Sequence, residues 1–250
     1  MAAENDKGTV RAVERALDIL LCFSGTETEL GLSDISKKIG LHKSTVHRLL
    51  ASLESKGFIR RHHPTDKYRL GWSVLELVSN VYQSDDLSSI VLPEMTRLRD
   101  LLGETISLYI RSGLERVRIQ AVESNQPVRR VANIGKRLPL YVGASGKVLL
   151  AFAEESLDDY WEIANVPAEI DREEFAEQIR EIRDKGYAIS IEERELGAAA
   201  VSAPILSRSG KLVAALSISG PVDRFTEEAV ERFAISVKQS AHILTKMFAR

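Results

Sequence analysis

The residues with the clearest chemical potential lie close together early in the chain. Apolar residues recur at i, i+3, i+4 and i+7 from Val46 to Leu53, which predicts a helix with one buried face. Its outward face carries hydroxyl, imidazole and guanidinium groups, with an ammonium group at its start: Lys43, Ser44, Thr45, His47, Arg48 and Ser52. Arg48 and His47 can donate hydrogen bonds to purine edges, while hydroxyls beside free backbone N–H groups can bind phosphate. The pattern predicts a helix that enters the major groove of duplex DNA.

Two short strand-like runs follow that helix. Phe58 to Arg61 and Lys67 to Leu70 flank a turn-rich loop, residues 62–66, which indicates a hairpin. The hairpin has a basic edge made of Arg60, Arg61, Lys67 and Arg69. We expect these side chains to contact backbone phosphates or to probe a minor groove, which adds affinity more than sequence preference.

The charge of the chain is distributed unevenly. The whole sequence has a formal net charge of -2, yet residues 34–71 contain nine Lys or Arg and three acidic residues. Residues 84–250 contain 22 basic and 26 acidic residues, so this part would be repelled by phosphate. A polyanionic partner is therefore expected to touch only the first third of the chain.

The elements that position the groove-entering helix can be read from the same segment. Helical spacing predicts a first helix over residues 9–23 and a second, short helix between Gly31 and Gly40. Only Gly40-Leu41-His42 separate the second helix from the third, which is the turn length of a helix-turn-helix. The alternative is a protein-binding winged helix whose charges only solvate its surface.

Several other classes of protein are disfavoured. No apolar run approaches the roughly 18 residues of a membrane span, and the polar N-terminus lacks a signal peptide, so a cytoplasmic location is expected. Cys22 is the single cysteine, and His62-His63 lack a further ligand at metal spacing, so neither a disulfide nor a metal site is predicted.

Catalytic motifs are incomplete as well. Gly146-Lys147 lacks the upstream glycine and the following Ser or Thr of a phosphate-binding loop. Ser145 lies in a segment that resembles a nucleophile elbow, but Lys147 replaces its last glycine and no histidine lies between His63 and His242. We predict no catalytic residues and no cofactor.

Landmarks along nearly the whole chain resemble those of IclR-family regulators, the family named for the isocitrate lyase regulator. The matching segments are Val10–Leu20, Gly40–Leu50, Gly143–Phe152, Gly186-Tyr187, Glu192-Glu193, Gly197, Ala203–Ile205 and Ser217–Pro221. The resemblance implies an α+β chain: an N-terminal winged helix-turn-helix, a linking helix, and a C-terminal GAF-like effector domain with an antiparallel sheet flanked by helices. It also implies a homodimer or homotetramer. The expected bounds are residues 1–71, 72–84 and 85–250.

Hydrophobic periodicity places further elements in the second part of the chain. Trp72, Leu75, Val78 and Tyr82 predict the linking helix, and Pro93 suits the first turn of the next one. Strands are expected at residues 105–111, 116–122, 187–192, 198–206 and 211–219, and helices at 145–153, 156–164, 171–185 and 226–248.

Small side chains in this part suggest a pocket. In the strand at 211–219, Leu212, Ala214, Leu216 and Ile218 are expected on one face and Val213, Ala215, Ser217 and Ser219 on the other. Small residues at 198, 200 and 202 share a face of the neighbouring strand, and the N–H groups of a helix opening at Gly143 can hold a carboxylate. The alternative is that these serines hydrogen-bond within a packed core.

The family resemblance implies where an effector would make contact. The implied positions are Leu138, Leu140, Ala144, Ser145, Ser190, Ala200, Ser217 and Ser219. Some relatives have a cysteine at the position of Ala200 and an acid at that of Ser190, so a keto-acid ligand does not follow.

The sequence thus predicts a regulator that binds double-stranded operator DNA and acts as a repressor. Its DNA binding would be modulated by a small effector, a carboxylate or aromatic acid. Two alternatives are a ligand-independent DNA-binding protein whose second domain only oligomerises, and an enzyme with an accessory DNA-binding domain.

Overall fold

The computed structural model describes residues 9–25, 27–84, 86–129, 131 and 133–247, without the side chains of residues 81–84, 86, 88 and 89. The chain divides into two compact units, Met1–Asp85 and Asp86–Arg250. Each unit has its own hydrophobic core.

The first unit is a three-helix arrangement followed by a hairpin and a fourth helix. Its elements are α1 (Arg11–Leu21), a 3-10 turn (Cys22–Ser24), α2 (Leu32–Ile39), α3 (Lys43–Ser55), β1 (Ile59–His62), β2 (Lys67–Leu70) and α4 (Trp72–Ser84). These bounds agree with the predicted helices and hairpin to within about two residues. Gly40 ends α2 in the left-handed conformation, at φ 65°, which lets the chain turn directly into α3.

The core of the first unit explains the orientation of α3. Ile19 of α1, Ile35 of α2, and Val46 and Leu50 of α3 are fully buried against one another. The backbone of Leu30 pairs with that of Tyr68 in both directions, at 3.0 and 2.8 Å, and ties the segment before α2 to the hairpin. The apolar face of α3 is therefore fixed inward and its polar face outward.

The second unit is built on one antiparallel sheet with helices on both faces. Its elements are α5 (Asp86–Leu102), β3 (Thr105–Ser112), β4 (Glu115–Val122), β5 (Arg137–Pro139), α6 (Ala144–Ala151), α7 (Leu157–Ile163), α8 (Arg172–Lys185), β6 (Ala188–Ile191), β7 (Ala198–Leu206), β8 (Leu212–Pro221) and α9 (Glu227–Met247). The strand order is β5-β4-β3-β8-β7-β6. Helices α5 and α9 pack on one face, and α6, α7 and α8 on the other.

One predicted helix of this unit began at the wrong residue, and one strand was missed. Pro93 lies inside α5 rather than in its first turn, because buried Val91, one helical turn before Met95, extends the apolar stripe upstream of the proline. Strand β5 has only three residues and is defined by its pairing with β4. The predicted end of α9 at Phe248 and the side chain of Tyr82 lie outside the described part of the chain.

The predicted alternation of side chains between the two faces of β8 is correct only after the first two residues of the strand. Ala214, Leu216 and Ile218 join the core beneath α5 and α9, as predicted. The register with β7 shifts at Ile205/Leu206, so β8 carries one extra residue there. Because of this bulge, Leu212 packs on the side of the sheet that α6, α7 and α8 cover, and Val213 packs on the α5–α9 side. This is the reverse of the expectation.

Among the described helices, none combines the length and the apolar composition that crossing a bilayer requires.

Candidate functional site

The outward face of α3 is polar and accessible. Lys43, Ser44, His47, Arg48 and Ser52 are exposed and Thr45 is half-buried, while Val46 and Leu50 on the opposite side are fully buried. The first backbone bonds of the helix run from Thr45 and Val46 to the carbonyl of His42, which leaves the N–H groups of Lys43 and Ser44 without a described partner. The hydroxyl of Ser52 donates to the carbonyl of Arg48 at 3.1 Å.

The four basic residues of the hairpin differ in how freely they can reach a ligand. Lys67 is exposed and forms no ion pair with the described residues, and the Arg60 guanidinium lies 5.1 Å from the centre of the Trp72 ring. Arg61 pairs with Asp66 at 2.5 Å. Arg69 pairs with Glu29, and Nδ1 of His62 lies 3.3 Å from the same carboxylate. Arg69 therefore braces the hairpin in this structure, and Lys67 and Arg60 are the residues most available to phosphate.

The second unit contains a cavity of about 50 Å³ between the sheet and the start of α6. Six of the eight predicted effector contacts line it: Ala144, Ser145, Ser190, Ala200, Ser217 and Ser219. The strand register explains this, because Ser190, Ala200 and Ser219 are paired across β6, β7 and β8 and so point the same way. Leu138 and Leu140 do not line the cavity; both are buried in the cluster that packs under α6.

The serines on this face of the sheet, of which Ser217 and Ser219 line the cavity, are only partly engaged with one another. Ser202 donates to Ser217 at 2.8 Å, as the packed-core alternative expects for this pair. Ser107 faces Ser217 across β3 and β8, and its buried hydroxyl has no hydrogen-bond partner. Ser219 and Ser145 line the cavity without such a link among the described residues. The floor thus retains hydroxyl groups that a polar ligand could use.

Sequence reasoning missed the most unusual residues of the cavity, Arg116 and Arg118 of β4. They are 2% and 6% exposed, and neither forms an ion pair with a described carboxylate. Both guanidinium groups lie near the ring of Tyr109, with their central carbons 5.7 and 5.1 Å from its centroid. The alternation of these arginines with Val117 and Ile119 indicates a strand with both cations on one face, but it does not record that this face turns inward.

Burying the positive charge of Arg116 costs free energy. Burial lowers the pKa of Arg116 to about 10, so the side chain is still charged near neutral pH. One terminal nitrogen donates to the carbonyls of Pro139 and Val142, the latter at 2.8 Å, but the buried Nε has no partner. An anion beside this group would offset part of the cost of burying it.

Helix α6 approaches Arg116 closely at its N-terminus. Gly143 adopts φ 84°, and a Cβ at Gly146 would overlap both the Arg116 guanidinium and the carbonyl of Leu140. The N–H groups of Ala144 and Ser145 have no described partner and belong to residues that line the cavity. The helix end therefore adds two backbone donors to the two arginines.

The loop between β6 and β7 closes one side of the cavity. Glu193 accepts the Gly143 N–H at 3.0 Å and the buried Lys147 ammonium at 2.7 Å, which attaches the loop to α6. Arg194 and Glu195, which follow it, line the cavity and lie 3.5 Å apart. Lys147 thus anchors the loop to α6 through Glu193.

No group of three His, Cys, Asp or Glu side chains in the described part of the chain is arranged to hold a metal ion.

Comparison with known proteins identifies the family. The model of the bacterial transcriptional regulator IclR C-terminal domain matches residues 79–245, and that of the IclR helix-turn-helix domain matches residues 12–63. The chain belongs to the IclR family. It is 34% identical over 243 residues to the HTH-type transcriptional regulator XynR of Escherichia coli K12, covering 95% of this chain and 96% of that protein. As a member of the IclR family, the chain is a DNA-binding transcriptional regulator with a C-terminal effector domain.

Solved IclR-family structures share its fold. The Thermotoga maritima IclR structure is 30% identical and covers 95% of this chain and 98% of its own, with a TM-score of 0.74. An IclR homologue from Microbacterium hydrocarbonoxydans, solved as a complex with 4-hydroxybenzoate, is 24% identical and covers 95% and 98% with a TM-score of 0.81. These likenesses agree with the predicted α+β fold, with its helix-turn-helix and antiparallel sheet.

The close approach at Gly146 leads to a prediction. We expect Gly146→Ala to lower the free energy of unfolding by roughly 1–3 kcal/mol, because the new methyl group meets a backbone carbonyl that cannot rotate away. Gly25→Ala is the matched control, since nothing lies within 4 Å of its added methyl group and its φ is −86°. Urea denaturation followed by circular dichroism measures both variants. Equal unfolding free energies for the two would show that α6 is not packed this closely against β4.

Proposed function

We propose that this IclR-family chain is a transcriptional repressor whose affinity for its operator is changed by a small organic acid bound in the second unit. One observation supports this most directly. Two buried arginines without a described carboxylate partner face a cavity in the second unit, while the first unit presents an exposed basic helix. The proposal assigns binding rather than catalysis to the cavity.

The operator contacts follow from the exposed groups of the first unit. Arg48 and His47 would contact base edges in the major groove, with Lys43, Ser44 and Thr45 at adjacent phosphates or bases. Lys67 and Arg60 of the hairpin would neutralise phosphates. Ser52, Arg61 and Arg69 would act after exchanging their present partners.

The effector proposal rests on the donors around the cavity. The N–H groups at the start of α6, Ser145 and the guanidinium groups of Arg116 and Arg118 all favour an acidic group. Carboxylic acids and aromatic acids both carry one, and 4-hydroxybenzoate is the ligand of the Microbacterium homologue.

The surface of the first unit supports a homo-oligomer, at least a dimer. Val10 at the N-cap of α1 and Val13, Leu17 and Leu21 within it form an apolar stripe, and each is more than half exposed. Trp72 and Leu75 of α4 are exposed as well. Stripes of this kind seldom remain in water, so we assign them to a second copy of the chain. Two copies would place two recognition helices on a two-fold symmetric operator.

We propose a role for each of three segments of the chain. Residues 1–71 would bind DNA, 72–84 would link and pair subunits, and 85–250 would bind the effector. The protein would act in the cytoplasm, where its DNA lies.

A ligand can shift operator binding only if it binds the DNA-competent and incompetent states with different affinity. In typical allosteric proteins this difference is about 1–3 kcal/mol.

The decisive measurement is operator binding with and without acids. In fluorescence anisotropy titrations on DNA from upstream of its own gene, we expect at least one carboxylic or aromatic acid to change the Kd by about 5- to 150-fold. Unchanged affinity with every acid would support a ligand-independent DNA-binding protein whose second domain only oligomerises. Absence of any DNA binding would contradict the regulator proposal.

Replacing one basic residue in each DNA-binding element separates base contact from phosphate contact. We expect Arg48→Ala to lose about 1–3 kcal/mol of preference for the operator over random DNA. Lys67→Ala should weaken binding to both DNAs alike and reduce the slope of log Kd against log salt by about 1. Indistinguishable effects of the two variants would show that α3 is not the base-contacting helix.

The dimer proposal is tested on α1. Leu17→Asn should shift the sedimentation equilibrium towards monomer and weaken operator binding, because it places an amide in an apolar interface. Ala12→Asn is the control, since this exposed position lies on the opposite side of α1. Unchanged self-association of Leu17→Asn would remove α1 from the interface.

A further inference from the structure

We propose that the effector is a compact dianion, with two acidic groups on a skeleton of about four carbons or fewer, and that Arg116 and Arg118 select it. This inference rests on the proposed function, because it names the class of acid that the same cavity takes.

Two positive charges lie side by side in the wall of the cavity. Arg116 and Arg118 are two residues apart on β4 and share one face of the strand, which places their Cα atoms about 6–7 Å apart. The acidic residues nearby are already engaged: Glu193 with Lys147, and Glu195 in contact with Arg194. A monocarboxylate would compensate one of the two arginines, whereas a dianion compensates both.

Each guanidinium also keeps hydrogen-bond donors for a separate acidic group. Arg116 uses one terminal nitrogen on the carbonyls of Pro139 and Val142, and its buried Nε is unpartnered. Arg118 directs Nε, at 2.9 Å, and one terminal nitrogen to the hydroxyl oxygen of Tyr109. Because this oxygen accepts from Arg118, the hydroxyl proton of Tyr109 is free to be donated to a ligand. Two guanidinium groups with remaining donors match two anionic groups better than one.

The size and lining of the cavity disfavour an aromatic ring. Its volume of about 50 Å³ favours the smallest acids, and malonate and succinate occupy less space than 4-hydroxybenzoate, which adds a ring and a hydroxyl group to its carboxylate. The guanidinium carbons of Arg116 and Arg118 lie 5.7 and 5.1 Å from the centroid of the Tyr109 ring, and Arg118 also donates to its hydroxyl oxygen, so two cations already engage this ring. The remaining walls carry the hydroxyls of Ser145, Ser190 and Ser219, which suit a small polar skeleton.

Paired probes that differ by one charge test the inference. Isothermal titration of the full-length protein at pH 7.5 would compare malonate with malonamate and succinate with succinamate, and would include 4-hydroxybenzoate as the aromatic acid. We expect at least one diacid to bind at least tenfold more tightly than its monoamide and than 4-hydroxybenzoate.

Substitution of each arginine tests the assignment to residues. Arg118→Gln should bring diacid and monoamide to within about threefold of each other while leaving the affinity for the monoamide nearly unchanged. Arg116→Gln should do the same, but Arg116 also ties Pro139 and Val142 together, so circular dichroism must first show that this variant folds. Arg137→Gln is the control, because Arg137 is an exposed residue of the neighbouring strand β5.

The inference is overturned if the monoamides or 4-hydroxybenzoate bind as tightly as the diacids, if no diacid binds, or if Arg118→Gln retains the preference. Anisotropy on operator DNA distinguishes this failure from that of the proposed function. If 4-hydroxybenzoate or a monoamide changes operator affinity at lower concentrations than any diacid does, effector control is supported and dianion selection is contradicted. If a diacid binds preferentially but no acid changes operator affinity, dianion selection is supported, and the proposal that an acid controls operator binding is contradicted.

Discussion

The second unit is organised around a positive charge that it buries without a described carboxylate partner. Arg116 is held between β4 and the start of α6, where its guanidinium donates to the carbonyls of Pro139 and Val142. This contact requires a glycine at position 146, because any side chain there would overlap both the guanidinium and the Leu140 carbonyl. Desolvation of a cation is expensive, and the arrangement is stable only because backbone oxygens and the rest of the core compensate for it.

The contacts that compensate the buried charge of Arg116 connect the elements around the cavity. Strand β5 and the segment after it supply the carbonyls that Arg116 binds, and α6 presents its first N–H groups to the same space. Glu193 then fastens the β6–β7 loop to α6 through Lys147 and Gly143. A ligand that compensates Arg116 and Arg118 would therefore act on a strand, a helix and a loop at once, which is how a small molecule could bias a whole domain.

Much of the fold followed from the sequence, and the exceptions have identifiable physical causes. Helical and strand periodicities gave nearly all element bounds, because each element buries one face. Pro93 was misplaced because proline favours a first turn locally, whereas the burial of Val91 extends the helix past it. Leu212 and Val213 were assigned to the wrong faces because a bulge, which depends on pairing with β7, inserts one residue into the alternation.

The sequence by itself determined the polar face of α3, the concentration of basic residues in the first third, and the small side chains of β7 and β8. These features are local in the chain, since composition and periodicity are read over a few residues. Only the tertiary structure showed that Leu138 and Leu140 pack in the core, that Glu29 engages Arg69, and that Arg116 and Arg118 turn inward towards Tyr109. The reason is that burial and charge compensation depend on distant segments meeting, and no short stretch of sequence records which ones do.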